Sequence, residues 1–293
     1  MKKIMTIIAA AAVALTLVGC QFGDMDKSTK TAGTKKNLTV SAKNDAPAAK
    51  KYQRGWKQLG TKETVQALET LITIDASKTK ETIKQNNGKW EVVAAGTTGA
   101  SEVNSVIGLI FDLHETTVKA ADATEAKPAG KYYDFVLIGY QPSGKKYYIE
   151  RYVDIPDGAF TNATDDGVFA TAEEYITDTS VNAFYTPTAT TFVTEKTGKL
   201  PKSDDEDGGS TDIALQQITV KITQETKGTY KINLGDKEWE YKPVANADWT
   251  NKDGYRIGGA GYYVNCPAGL SVKANFNSKN GNTIGLNADE EEF

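Results

Sequence analysis

Val106-Ile-Gly-Leu-Ile-Phe-Asp-Leu-His114 is the first of three segments that decide the fold. The other two are Tyr132-Tyr-Asp-Phe-Val-Leu-Ile-Gly-Tyr140 and Lys145-Lys-Tyr-Tyr-Ile-Glu-Arg-Tyr-Val153. All three are short runs of β-branched and aromatic residues, which is the pattern of β-strands. Gln141-Pro142-Ser143-Gly144 joins the last two, and this composition favours a tight turn because proline fixes φ and glycine tolerates the closing position. We therefore predict three consecutive antiparallel strands.

The alternation within the first two strands predicts which side chains share a face. Residues two apart on a strand point to the same side of the sheet. On the first strand, Ile107, Leu109, Phe111 and Leu113 are predicted to share one face. On the second strand, Tyr133, Phe135 and Leu137 are predicted to share one face. A one-residue slip in strand pairing would turn every one of these groups to the other face. We therefore expect the pairing register of these strands to be strongly specified.

The same strand pattern recurs in the sequence before and after these three segments. Alternating apolar residues predict strands at 67–75, 218–223 and 270–276, and a hairpin at 228–241 that turns at Gly235-Asp236. Glycine, asparagine and aspartate separate these segments, and evidence for helices is thin. We predict an all-β chain folded as an antiparallel β-sandwich.

The order of these segments resembles the concanavalin A-like jelly roll of laminin G-type domains, lectins and glucanases. The resemblance rests on the Gly-apolar-apolar-Phe strand, the tyrosine-rich strand after it, a later apolar strand, a Leu-Gly-Asp-Lys hairpin, an Arg-Ile-Gly-Gly turn and a last strand ending in Phe. These elements lie at 108–111, 132–140, 218–222, 234–237, 256–259 and 272–276. The resemblance covers most of 67–277 and implies a β-sandwich that binds glycans or proteins.

The amino terminus has the features of an export signal. Lys2 and Lys3 precede an apolar run at 4–18, which is too short for a stable membrane span. The run ends in Leu17-Val18-Gly19-Cys20, which resembles the lipobox of bacterial lipoproteins. That resemblance implies cleavage before Cys20, a diacylglycerol group on its thiol, and anchoring to membrane lipid at the outer membrane or the cell surface.

These features predict the domain organisation. We expect a signal peptide at 1–19, a lipidated flexible tether at 20–54, a β-sandwich domain at 55–288 and an acidic tail at 289–293. The tether assignment rests on many Lys, Thr, Ala and Asn residues with few large apolar side chains, a composition that buries too little surface to order a chain.

Composition excludes several classes of function. The chain has 34 Lys and Arg against 38 Asp and Glu, with no basic stripe, so a nucleic-acid partner is not expected. His114 is the only histidine, which argues against Ser-His-Asp triads and histidine-based zinc sites. Once Cys20 is acylated, Cys266 has no cysteine partner for a disulfide, and we expect it to be a small buried residue.

A calcium site is one hypothesis for the acidic segment at 204–212. Its candidate ligands are Asp204, Asp205, Asp207 and Asp212, whose carboxylate oxygens suit a hard cation. The segment matches no complete calcium-loop motif, so the alternative is a solvated acidic linker. Calcium is the one cofactor that the sequence suggests.

Three other groups of residues are candidate sites. Trp249, Tyr255, Tyr262 and Tyr263 cluster in a turn-rich region, where their rings could stack on a sugar or anchor a protein, or could instead close the core. Asp236, Glu238 and Glu240 would share one strand face, as a glycosidase acid and nucleophile do. A solvated strand face is the preferred interpretation, because Trp239 and Tyr241 take the opposite face. His114, between Asp112 and Glu115, could be a pH-sensitive or metal-binding group, or a structural strand-end residue.

We expect a non-catalytic surface lipoprotein whose jelly-roll domain binds a glycan or a host protein, in adhesion or as a coat. Two alternatives stay open. A glycan-degrading hydrolase would need a buried, correctly spaced carboxylate pair in a cleft. An accessory subunit of an outer-membrane assembly would show a large flat apolar patch.

Overall fold

The computed structural model describes most of the chain beyond residue 36. The described residues are 37–60, 63–125, 127–157, 183–185, 193–202, 211–226, 228–234, 237–243, 245–251, 254–278 and 283–286. Cys20 and the tail at 289–293 lie outside them. Within this part of the chain, no helix is long and apolar enough to cross a membrane.

The first of two large sheets has eight antiparallel strands. They are β1 (Asn37–Asn44), β3 (Glu63–Asp75), β11 (Thr194–Gly198), β12 (Ile213–Thr226), β13 (Thr229–Leu234), β14 (Lys237–Tyr241), β16 (Leu270–Ser278) and β17 (Thr283–Leu286). The order is β1-β16-β3-β12-β13-β14, with β11 added to β12 and β17 added to β3.

The second large sheet has six antiparallel strands in the order β10-β9-β8-β7-β15-β2. They are β2 (Tyr52–Gly60), β7 (Val106–Val118), β8 (Gly130–Gln141), β9 (Lys146–Pro156), β10 (Ala183–Tyr185) and β15 (Gly259–Pro267). A small third sheet, in the order β5-β4-β6, contains β4 (Lys80–Asn86), β5 (Lys89–Val92) and β6 (Ser101–Asn104).

The two large sheets contribute side chains to one apolar core. Core residues from both sheets, each at most 2% exposed, include Ile72, Leu109, Phe111, Ile138, Ile222 and Phe276. The predicted all-β antiparallel sandwich is confirmed. The three segments that suggested it are β7, β8 and β9, which pair consecutively and antiparallel as predicted. The predicted strands at 67–75, 218–223 and 270–276 lie within β3, β12 and β16.

The central strands β7, β8 and β15 of the six-stranded sheet are buried on both faces over most of their length. A second apolar cluster, which includes Ile110, Leu113, Phe135 and Leu137, covers the face that points away from the sandwich core. We call this the outer face. The predicted grouping on β8 is confirmed, because Phe135 and Leu137 belong to the outer cluster and Tyr133 packs against it.

The predicted face of β7 is wrong at one position. Ile107, Leu109 and Phe111 lie in the sandwich core, whereas Leu113 lies in the outer cluster. The cause is a bulge: Asp112 has a φ of 50°, and the pairing of β7 with β8 shifts between Phe111 and His114. An extra residue in one strand moves the next side chain to the opposite face.

The predicted start of the domain at residue 55 is also wrong. Residues 37–44, assigned from composition to the flexible tether, form β1, which pairs along its whole length with β16. Val40 and Ala42 of β1 are buried in the core, although this strand contains few large apolar side chains. Two small apolar residues at alternate positions are enough when a neighbouring strand supplies the hydrogen bonds.

Candidate functional site

The predicted cluster of aromatic residues is divided by the structure. Trp249 and Tyr255 are half-buried in the loop between β14 and β15. Tyr262 and Tyr263 are instead buried on β15, which contradicts their predicted role in ligand binding. Tyr262 stacks on Phe276 in the core, and Tyr263 belongs to the outer cluster. Both faces of β15 are covered, so neither ring is available at the surface.

The loop that carries Trp249 and Tyr255 is a small hairpin held by hydrogen bonds. The backbone N–H of Ile257 donates to the carbonyl oxygen of Trp249 at 3.0 Å, and the N–H of Asn251 donates to the carbonyl oxygen of Tyr255 at 2.8 Å. The side chain of Asn251 also accepts from the N–H of Tyr255 at 2.9 Å. Asparagine side chains commonly stabilise turns in this way. The two rings are therefore carried on segments that backbone and side-chain hydrogen bonds join to each other.

Trp249 packs against an imidazole and a guanidinium. Its ring stacks on His114 with 3.9 Å between ring centroids and 7° between planes. The guanidinium carbon of Arg256 lies 5.0 Å from the ring centroid, within the range of a cation–π interaction. These contacts fix the ring relative to β7 and to the start of β15.

Asp112 joins these residues to the core. Its Oδ1 atom lies 2.8 Å from His114 Nε2 and accepts a hydrogen bond from Arg256 Nε at 2.9 Å. Its Oδ2 atom accepts from Arg256 Nη2 at 3.2 Å and from the Tyr241 hydroxyl at 3.4 Å. Burial acts to raise the pKa of Asp112, but His114 and Arg256 together lower it below its usual value. The carboxylate is therefore held ionised, with both oxygens engaged.

Two further buried carboxyl groups lie on opposite faces of the six-stranded sheet. Burial raises the pKa of both Asp134 and Glu150. Glu150 pairs in register with Leu137 of the outer cluster, so it lies on the outer face. Asp134 alternates with Phe135 and lies on the inner side of β8. A glycosidase needs both carboxyl groups beside one glycosidic bond, and these two are separated by the sheet.

The outer face also carries buried polar side chains. The Tyr152 hydroxyl donates a hydrogen bond to Glu150. Asn265 on β15 pairs in register with Arg54 on β2, and within the described part of the chain its side-chain amide has no hydrogen-bond partner. Asn265 is 0% exposed, and this complete burial makes it a poor contact for a ligand.

Asp112 and Arg256 form one cluster that was not predicted from the sequence. The sequence did contain an indication that Asp112 has a special role, because this charged residue interrupts the apolar run of β7. A charged residue inside a strand that is buried on both faces needs a partner. Arg256 gave no such signal, because it lies in a glycine-rich turn where arginine is ordinarily solvated.

The other predicted residues form no site that the structure describes. Asp204, Asp205 and Asp207 lie outside the described residues, and Asp212 is exposed just before β12. Among the described residues, no group of three or more His, Cys, Asp or Glu side chains could hold a metal ion.

The carboxylates of the β13–β14 hairpin and the free cysteine differ in their exposure to solvent. Glu238 and Glu240 are exposed on β14, and Asp236 lies outside the described residues. Cys266 is buried as predicted, and burial raises the pKa of its thiol to about 12. A thiol in that state is a poor nucleophile.

Comparisons with known proteins found no relative of this chain. No protein-family model, curated protein or solved structure matches the chain. The resemblance to concanavalin A-like domains and to bacterial lipoproteins stays a prediction from the sequence.

Proposed function

We propose that the chain is an exported lipoprotein, anchored through Cys20, whose β-sandwich binds a glycan or a host protein without chemically changing it. Its place is the outer membrane or the cell surface, in adhesion or as a coat. The observation that carries the binding role is the pair of half-buried rings, Trp249 and Tyr255, on one hydrogen-bonded hairpin. Aromatic rings held in place are effective anchors for ligands.

The arrangement of the carboxyl groups supports binding rather than hydrolysis. Asp112 is held ionised by His114 and Arg256, so it is unsuited to act as a proton donor. Asp134 and Glu150 face opposite sides of one sheet, so they cannot flank the same bond. The hydrolase alternative would need an acid and a nucleophile on one face.

The anchoring part of the proposal is tested by Cys20→Ala. We expect the variant to be unprocessed or released without lipid, because the thiol is the only attachment point. Mass spectrometry of the wild-type amino terminus should find lipid-modified Cys20. A mature terminus at another residue would contradict the proposed anchor.

The binding part is tested on an array of immobilised glycans and host surface proteins, with the purified full chain. We expect Trp249→Ala and Tyr255→Ala to weaken binding of any captured ligand by at least about tenfold, equivalent to about 1.4 kcal/mol. Trp90→Ala is the matched control, because Trp90 is also half-buried but lies on the small third sheet. Equal loss in all three variants would argue against a site at the loop, and turnover of a captured glycan would favour the hydrolase.

A further inference from the structure

Gln224 is a buried polar residue at the end of an apolar row on β12. Ile218, Val220 and Ile222 precede it on the same face of the strand and lie in the core. Gln224 is 6% exposed, and it pairs in register with Tyr230, another core residue. A buried amide needs hydrogen-bond partners, so the partners of Gln224 indicate the role of this side chain.

The side-chain amide of Gln224 binds both backbone groups of Arg256. Its Oε1 atom accepts a hydrogen bond from the N–H of Arg256 at 2.9 Å, and its Nε2 atom donates to the carbonyl oxygen of Arg256 at 3.2 Å. The same Oε1 atom accepts from the N–H of Gly228 at 3.2 Å. Both ends of one amide therefore bind backbone groups, and they join β12 and the turn after it to residue 256.

Arg256 lies in the second arm of the hairpin that carries the two half-buried rings. We call this element the aromatic hairpin, and its two arms are residues 249–251 and 255–257. Thr250 and Arg256 face each other across it, and the residues on either side of this pair make the hydrogen bonds between the arms. In an antiparallel pair, a residue that does not bond across the pair turns its N–H and C=O to the other side. On that side of Arg256, Gln224 takes the place of a neighbouring strand.

The contact with Gln224 restrains both residues that carry the rings. Tyr255 directly precedes Arg256 in the chain. The N–H of Ile257, the residue after Arg256, donates to the carbonyl oxygen of Trp249 at 3.0 Å. A displacement of residue 256 from β12 would therefore move both rings relative to the sandwich.

We propose that Gln224 is a positioning residue for the aromatic hairpin, and that it raises affinity by fixing the hairpin before a ligand binds. This inference rests on the proposed function and adds to that site a residue that acts through the hairpin without contacting the ligand. Asp112 holds the side chain of Arg256, whereas Gln224 holds its backbone and with it the second arm. A loop that is ordered in advance loses less conformational entropy on binding.

Gln224→Met tests the inference with a side chain of similar length that has no amide. Gln216→Met is the matched control, because Gln216 lies on the same face of β12 and is 7% exposed. Its amide bonds to groups at the other end of the strand, namely the side chains of Tyr140 and Glu195 and the carbonyl oxygen of Pro142. Both variants remove a buried amide, so we expect similar losses of overall stability, but only Gln224→Met removes a contact with the hairpin.

Amide hydrogen exchange in the full chain, followed by NMR, measures how firmly the hairpin is held and needs no ligand. The reporters are the N–H groups of Asn251 and Ile257, which bond across the hairpin. We expect them to exchange at least about fivefold faster in Gln224→Met than in the wild type, because local opening becomes easier. In Gln216→Met their exchange should follow only the change in overall stability. Equal acceleration in both variants, or unchanged exchange in Gln224→Met, would overturn the inference.

Gln224→Asn serves if Gln224→Met does not fold. It keeps an amide but shortens the side chain by one methylene, so the same backbone position no longer brings the amide within hydrogen-bond distance of both groups of Arg256. We expect the same faster exchange at Asn251 and Ile257. Exchange at the wild-type rate in Gln224→Asn would overturn the inference.

The affinity measurement separates this inference from the proposed function. It uses the glycan or host protein that binds most strongly on the array. We expect at least about threefold lower affinity in Gln224→Met and wild-type affinity in Gln216→Met, because a loosened hairpin must be ordered on binding. Equal loss in both variants would overturn the inference. Binding that requires Trp249 and Tyr255 but is unaffected by Gln224→Met would also overturn it and leave the proposed function intact. An array that captures nothing would count against the proposed function, and the hydrogen-exchange comparison would still decide whether Gln224 positions the hairpin.

Discussion

A chain that begins at Lys51 is expected to be less stable than one that begins at Asn37 by about 4 kcal/mol or more. The shorter chain lacks β1, which pairs with β16 over eight consecutive positions. It loses the buried side chains of Val40 and Ala42 and exposes the edge of β16 to solvent. An unpaired edge strand also favours aggregation.

Chemical denaturation of the two chains measures the difference between their free energies of unfolding. Two point variants test the contribution of single side chains on β1. Val40→Ala should reduce the free energy of unfolding by about 1–2 kcal/mol, because it removes buried methyl groups. Lys43→Ala, on the same strand but exposed, should change stability by less than about 0.5 kcal/mol. Equal stability of the two chains would show that β1 does not contribute to the folded domain.

Arg256→Ala is expected to reduce the free energy of unfolding by about 3–5 kcal/mol. The substitution leaves the carboxylate of Asp112 buried without its guanidinium partner, which donates two hydrogen bonds to it. It also removes the cation beside Trp249. Lys221→Ala is the control, because Lys221 is exposed on β12 and its loss should cost less than about 0.5 kcal/mol.

The same variant should change the dependence of stability on pH. The folded-state pKa of Asp112 is lowered, so this group stabilises the fold above its unfolded pKa and loses that effect as pH falls through the folded value. Without Arg256 the folded pKa rises, and the acid loss of stability should begin at a higher pH. Unfolding curves across the acid range test this, and a uniform loss of stability at all pH values would contradict the role of Asp112.

The central strands could be predicted from the sequence because their alternation is strong. β7, β8 and β9 carry large apolar residues at many positions, and a short turn joins β8 to β9. The error at Leu113 arose because a bulge changes the face of a side chain without leaving a clear pattern. β1 was missed because its buried residues are small and its partner, β16, lies more than two hundred residues away in sequence.

The candidate site was less predictable than the strands. Trp249 and Tyr255 could be found because they lie in one turn-rich segment. The pair formed by Asp112 and Arg256 spans 144 positions, so only the folded chain brings it together. The stacking of His114 on Trp249 has the same origin, because β7 and β15 are distant in sequence but adjacent in the sheet, and Trp249 lies in the loop before β15.

For a domain anchored as proposed, the place of β1 in the sheet would limit how far it can stand from the membrane. If lipid holds Cys20, the stretch outside the sandwich ends no later than Asn37, where β1 begins, and not at the predicted boundary near residue 55. A fully extended backbone from Cys20 to Asn37 spans at most about 60 Å, roughly half the distance that the longer tether would have allowed. If the proposed function holds, the domain would then meet a ligand close to its own cell surface, within reach of neighbouring surface molecules.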